Sequence, residues 1–238
     1  MFEKTNTGYY QFEELKKFAY LVHGFSTRAF GDCRKKENYQ KFLETVGIGI
    51  ENLVLAQQVH SNKIKVVKYQ DRGKTIPGVD GLLTRDLQVV LGIRTADCLP
   101  ILFWEPQAKI IGIAHSGWRG VLKRLPQKMI DQIIKMGGLP ENVLVAIGPH
   151  ICGKCYLVGK ERIQQFLAEF GKLEGMINES YLDLEIPTRN QLFHSGVKLT
   201  NVFSSEMCTS CHNQDFYSFR KNNENDYGEI LSIIGLII

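Results

Sequence analysis

The sequence has no apolar run long enough to matter to a bilayer. Its longest, Ile230 to Ile238, is nine residues and carries Ser232 and Gly235, whereas a membrane-spanning helix needs roughly 20. Charge of one sign is equally scarce. Lys+Arg 29 against Asp+Glu 25 gives +4, too mild to imply nucleic acid without a clustered basic face. No internal repeat, low-complexity tract or linker divides the chain, and Met1-Phe2-Glu3-Lys4 lacks the apolar core of a secretory signal. With 44% hydrophobic and 23% charged residues, the composition is globular and excludes intrinsic disorder. These absences give three expectations: one catalytic-sized domain over residues 1–238, a cytoplasmic location, and no nucleic-acid or membrane partner. They leave the oligomeric state open.

Cysteine and histidine are not scarce. Cysteines fall at 33, 98, 152, 155, 208 and 211, and histidines at 23, 60, 115, 150, 194 and 212. In a reducing compartment such cysteines serve as thiols or metal ligands rather than disulfides.

The apolar pattern predicts a mixed α/β chain. Tyr20–Phe25, Leu53–Val59, Lys63–Tyr69 and Val143–Ile147 read as strands, and Asp71–Gly81, with Gly73, Pro77 and Gly78, as a loop. Val89–Ile93, Ile101–Trp104 and Ile110–Ala114 are continuous apolar runs, the pattern of strands buried on both faces. Helices are expected over Asn38–Val46, Val121–Ile134 with a kink at Pro126, and Glu161–Phe170. Further strands are expected near Tyr181–Leu184, Leu199–Phe203, Phe216–Phe219 and Ile230–Ile238. Strands outnumber helices, so a single-domain mixed sheet or β-sandwich flanked by helices fits better than a purely parallel fold.

Polar residues interrupt these runs at informative places. His60 ends one strand, Cys98 lies in Thr95-Ala-Asp-Cys-Leu-Pro100 between two others, and His115 ends a fourth before a Gly turn. Strand ends facing a crevice are where α/β sheets bind ligands. Two imidazoles and a thiolate match a catalytic zinc site with one position left for water or substrate. The bland alternative is two satisfied strand-end histidines and a small core cysteine. A cysteine hydrolase, with Cys98 as nucleophile and His60 or His115 as base, would use the same atoms. Copper is chemically allowed too, but the close Cys, His and Met clustering of an electron-transfer site is absent.

The words around these residues are distinctive. Val22-His-Gly-Phe-Ser-Thr-Arg28, Gln57-Gln-Val-His-Ser61, Thr95-Ala-Asp-Cys-Leu-Pro100, Ala114-His-Ser-Gly-Trp-Arg-Gly120, Ala146-Ile-Gly-Pro149 with Cys155-Tyr156, and Phe216-Tyr-Ser-Phe-Arg220 occur in this order. Together they resemble the family labelled multicopper polyphenol oxidase or laccase domain, also described as zinc-dependent purine nucleoside phosphorylases. The resemblance runs from about Val22 to Arg220. It implies zinc held by His60, Cys98 and His115, and phosphorolysis of adenosine, inosine, guanosine and methylthioadenosine together with adenosine deamination. Some relatives are connected with editing of peptidoglycan precursors. Three departures stand out: Gln57 where Asn is frequent, Thr188 where Asn is usual, and Tyr227-Gly-Glu229 where Gly-Arg is common. The last removes a potential anion contact.

On this reading, phosphate would be clamped by the guanidinium forks of Arg28 and Arg119, with Arg220 as a third; the bland alternative is surface arginines. For deamination, zinc lowers the pKa of a bound water to about 7. Asp97 and Asp80 are then the candidate acid–base carboxylates, or else a partner of a metal-bound His and a turn-forming Asp. No His-x-Glu and no Pro-Cys-x-x-Cys occurs, which excludes the nucleobase-deaminase fold. The competing classes are a cysteine or zinc hydrolase acting on cell-wall precursors and a non-catalytic, zinc-stabilised binding protein.

Two pairs remain. Cys152-Gly-Lys-Cys155 and Cys208-Thr-Ser-Cys211 each have structural-zinc spacing, but 52 residues separate them. The spacing leaves open a second, Cys₄ zinc or unpaired thiols. His212 would matter only beside such a metal, and His23, His150 and His194 read as ordinary satisfied histidines.

Overall fold

Alternate side chains of a strand point to opposite faces, and in this chain both faces of the central strands are covered. Leu102 and Trp104 share a core with Leu91, Ile93 and Ile234, while their neighbours Ile101 and Phe103 pack with Met129, Ile130 and Phe166. Double burial is why these segments read as unbroken apolar runs rather than as alternating ones. The computed structural model describes residues 1–222 and 227–237.

In its first half the chain forms β1 (Phe2–Lys4), β2 (Tyr10–Phe12), α1 (Glu13–Lys16), β3 (Leu21–Phe25), α2 (Lys36–Val46), β4 (Leu53–Gln57), β5 (Ile64–Val66), β6 (Thr75–Pro77), β7 (Gly81–Thr84) and β8 (Val89–Thr95). There follow β9 (Leu99–Glu105), β10 (Ile110–Ser116), α3 (Trp118–Leu122), α4 (Leu125–Lys135), β11 (Leu144–Ile147), α5 (Lys160–Phe170), β12 (Ile177–Asn178), β13 (Tyr181–Leu182), α6 (Glu185–His194), β14 (Val202–Ser204) and β15 (Ile230–Leu236).

A seven-stranded sheet has the order β1-β2-β3-β15-β8-β4-β6 and a six-stranded sheet the order β14-β11-β9-β10-β7-β5. Both are mixed: β4 runs parallel to β6 and β8, and β11 parallel to β14, amid antiparallel neighbours. The two sheets share one core. Phe42 and Leu43 of α2 cover the outer face of the first sheet with Val90 and Ile233, and α4, α5 and α6 cover the outer face of the second. This is a single-domain mixed α/β sandwich flanked by helices, as the apolar pattern indicated.

Several elements depart from the sequence reading. Pro126 does not kink one helix. The chain breaks at Arg124, whose φ is 58°, and Pro126 falls in the first turn of α4, where its missing N–H costs nothing. The expected loop contains the edge strand β6, with Pro77 at its end, a position that an unpartnered edge tolerates. Leu199–Asn201 is a 3₁₀ turn before β14. Phe216–Phe219 is not a strand; Phe216 is buried against Tyr10, ring centroids 5.3 Å apart, so its apolarity serves packing rather than pairing. The strand expected over Ile230–Ile238 ends at Leu236, and Ile238 lies outside the described residues.

Candidate active site and metal centre

Three turns at one end of the sandwich carry the sequence-expected ligands. His60 follows β4 with φ 56°, Cys98 lies in the β8–β9 turn, and His115 is near the end of β10, just before Gly117 opens α3. One ligand atom from each lies within 4.8 Å of the other two. The two imidazoles meet edge to face, centroids 4.8 Å apart.

Asp80, fully buried, fixes this arrangement. Its carboxylate accepts the backbone N–H of Val59, His60 and Ser61 at 3.3, 3.0 and 2.7 Å, and the Ser61 hydroxyl at 2.7 Å. Its Oδ1 lies 2.8 Å from His115 Nδ1, leaving Nε2 as the nitrogen available to a metal. The Asp80 carbonyl also accepts the His115 N–H at 2.8 Å. Burial opposes ionisation of Asp80, but the hydrogen bonds from His115 and Ser61 prevail and hold its pKa at about 2. Burial likewise pushes the Cys98 thiol up, yet the His115 charge and hydrogen bonds from both imidazoles bring it down to about 7. His115 is driven the other way: burial lowers its pKa, while Cys98 and Asp80 raise it by more. A thiolate and two oriented imidazoles form a donor set that fits a divalent metal.

Asp97 sits in the same turn with φ 81°, a strained conformation for a residue other than Gly. Three hydrogen bonds hold it there. Its carbonyl accepts the Ile151 N–H at 3.0 Å, and its two carboxylate oxygens take the Thr209 hydroxyl at 2.6 Å and the Arg220 N–H at 2.7 Å. Asp97 thus joins the Cys98 turn to two other segments, and its oxygens are occupied in doing so.

His60, Cys98 and His115 open onto a cleft of ≈ 480 Å³ among the described residues. Its walls include the rings of Trp118, Tyr156, Phe219 and Tyr227 and the guanidiniums of Arg94, Arg162 and Arg220. Arg162 lies 4.0 Å over Trp118 and donates to the Tyr156 hydroxyl at 3.1 Å, and Arg220 lies 4.8 Å over Tyr156. Of the three arginines expected from sequence, only Arg220 lines the cleft. Arg119 is exposed and stacks on Trp118 at 4.4 Å. Arg28 stacks on Tyr217 at 4.5 Å and donates to the Asn213 carbonyl at 3.1 Å.

The sequence reading missed Arg94, Arg162 and Glu229. Arg94 had a signal, as the charge that breaks the apolar run of β8 four residues before Cys98. Its strand geometry is completed by Gln58, whose side chain donates to the Arg94 carbonyl at 2.6 Å and accepts its N–H at 2.9 Å. Arg162 had none, since nothing in the spacing of α5 turns it toward the cleft. Glu229, also in the cleft wall, has its pKa raised by burial against the opposing pull of Arg94 and Arg34. Arg94 Nε is 3.6 Å from its Oε2.

Comparison with known proteins identifies relatives of the whole chain. A family described as multi-copper polyphenol oxidoreductase laccase matches residues 26–237. A protein of Deinococcus radiodurans named purine nucleoside phosphorylase is 33% identical, over 91% of this chain and 89% of its own. Adenosine deaminase RL5, from an unknown prokaryotic organism, is 30% identical over 74% of this chain and 72% of its own. The crystal structure of YlmD from Geobacillus stearothermophilus superposes with a TM-score of 0.89 at 29% identity, covering 100% of this chain and 99% of that one. With a match over most of its length and the same fold in a solved relative, the chain belongs to the multi-copper polyphenol oxidoreductase laccase family.

Proposed function

We propose that this protein is a zinc-dependent enzyme of purine nucleosides, splitting the N-glycosidic bond with phosphate and also deaminating adenosine. One observation carries the reading: a His₂Cys donor set opens into a cleft walled by aromatic rings and guanidiniums. The names borne by the Deinococcus relative and by RL5 support the substrate class. Zinc is the metal proposed because two imidazoles and a thiolate with a position left open are the donor set of a catalytic zinc site. Held by His60, Cys98 and His115, zinc would supply a Lewis-acid charge at the cleft floor.

The remaining work falls to the chain's own residues. Trp118, Tyr156 and Phe219 offer flat faces for a purine. Arg94, Arg162 and Arg220 are the guanidiniums placed to hold phosphate against the sugar. In phosphorolysis a phosphate oxygen bonds to C1′ as the C1′–N9 bond breaks, and the departing purine takes the electron pair and needs a proton. Glu229, whose pKa burial raises against the pull of Arg94 and Arg34, is the carboxyl assigned to pass that proton to purine N7. Asp80 and Asp97, whose oxygens are already bonded, act as positioning residues for the donors.

The test is base release from inosine and adenosine by the purified chain, with and without phosphate. Free purine only when phosphate is present, abolished by chelation and restored by zinc, supports the proposal. Activity that survives chelation but dies on alkylation of Cys98 would instead make the protein a cysteine hydrolase. No turnover, with metal removal lowering only thermal stability, would make it a binding protein.

A further inference from the structure

The two Cys-x-x-Cys segments are far apart in sequence, yet the fold brings them together. β11 and β14 are parallel neighbours, and their pairing continues past the C-terminal ends of both: Ser205 N–H donates to the Ile147 carbonyl at 2.9 Å, and Thr209 N–H to the His150 carbonyl at 3.0 Å. A bridge between His150 and Cys208 closes the register. Each strand then leads into a tight turn bearing two cysteines. In the first, the Cys155 and Tyr156 N–H groups both donate to the Cys152 carbonyl, at 3.0 and 3.1 Å.

The four sulfurs of Cys152, Cys155, Cys208 and Cys211 all lie within 4.8 Å of one another. Cys155 Sγ and Cys211 Sγ are 3.5 Å apart. A tetrahedron of thiolates around zinc, with Zn–S near 2.3 Å, has sulfur–sulfur edges of about 3.8 Å. The observed spacings bracket that edge and leave no room for a multi-iron cluster. The Cys152 N–H donates to Cys208 Sγ at 3.3 Å, a backbone contact that stabilises a charged sulfur. All four cysteines are free thiols. His212 is not part of the group: its Nδ1 lies 3.2 Å from the Cys208 carbonyl.

We propose that Cys152, Cys155, Cys208 and Cys211 form a second metal centre, a mononuclear tetrathiolate zinc site separate from the cleft. Four protein ligands close the coordination sphere, so the site is structural rather than catalytic. Its position gives it a task. The turns that it clamps adjoin Ile151 and Thr209, which hold the strained Asp97, and Tyr156, which walls the cleft. The zinc fastens together the two segments that shape one side of the candidate active site, and it does so whatever substrate the cleft takes.

Elemental analysis of the full chain, purified without added metal, tests this. Wild type should carry two equivalents of zinc, and Cys98→Ala should keep one. Cys155→Ser with Cys211→Ser should also fall to one, held in the cleft. Should that double variant fail to fold, the Cys98→Ala protein decides the matter alone. Its four clustered thiols should resist alkylation until a chelator or mercurial releases the zinc, and cobalt in place of zinc should give thiolate charge-transfer bands. Cys98→Ala protein without metal, with these thiols alkylated at once or joined as disulfides by mass, would overturn the proposal. So would iron in place of zinc.

Discussion

Gly117 lies against Cys98 so closely that a Cβ at residue 117 would fall 2.8 Å from the Cys98 sulfur and 3.2 Å from His60 Cδ2. Two of the three candidate donors therefore pack directly onto the backbone that opens α3. Gly117→Ala should push both donors apart and weaken zinc binding by about 10–100-fold, the range typical of disturbed support around metal ligands. The helix itself should persist, because Gly117 has ordinary negative φ. Metal titration with circular dichroism checks both halves; unchanged zinc affinity would show that the site yields without cost.

Asp80→Asn keeps the shape but replaces one acceptor oxygen by a donor, facing several N–H groups. About 1–3 kcal/mol of stability should be lost per donor left unmatched, and zinc affinity should drop as His115 loses its partner. Chemical denaturation with and without zinc measures the two effects. A variant of wild-type stability would mean that the Asp80 bonds are not what fixes the His60 turn.

The arginines separate two views of the phosphate site. Arg94→Ala and Arg162→Ala should each raise the KM for phosphate about 10–100-fold, the equivalent of one charged hydrogen bond at about 1.5–3 kcal/mol. Arg28→Ala, which loses a stack on Tyr217 away from the cleft, should leave that KM within about two-fold. The opposite order in steady-state kinetics would return the phosphate to Arg28.

His23 makes the fold acid-sensitive. Its Nε2 accepts the Phe12 N–H at 2.9 Å, continuing the β2–β3 pairing where the backbone ladder stops after Tyr10 and Phe25. Burial depresses its pKa from 6.5 to about 4. The unfolded chain takes up the proton first as pH falls, so the contribution is whole above about 6.5 and is lost between there and about 4. The loss amounts to about 3 kcal/mol. In His23→Gln, whose side-chain carbonyl can still accept from Phe12, this part of the pH dependence should vanish from urea midpoints measured across that range.

Much of this was legible in the sequence. Double burial announced β8, β9 and β10, and polar residues at the ends of these runs and of the β4 run marked Cys98, His115 and His60, which the fold brings together. Less visible was whatever depends on pairing across long separations. β1 and β2, three residues each, are too short to stand out, and α6 carries Pro187 in its first turn and lacks a clear apolar stripe. Its start is marked instead by Asp183, whose Oδ1 accepts the N–H groups of Glu185 and Ile186 at 2.8 and 3.3 Å. The roles of Asp80 and Asp97 could not be separated by residue type, because a carboxylate next to a turn looks the same whether it moves protons or gathers N–H groups. Arg162 was hidden for a similar reason: a helix arginine is commonplace until the opposite wall is in place.

β15 lies at the centre of the first sheet, between β3 and β8, although it is the last strand in chain order among the described residues. During synthesis the pieces on its two sides wait, each with an open edge, until residues 230–236 leave the ribosome and slot between them. Half-made chains therefore display the kind of sticky border that draws strangers together, and a nonsense codon shortly before Ile230 would leave two fragments of a layer with nothing to join them.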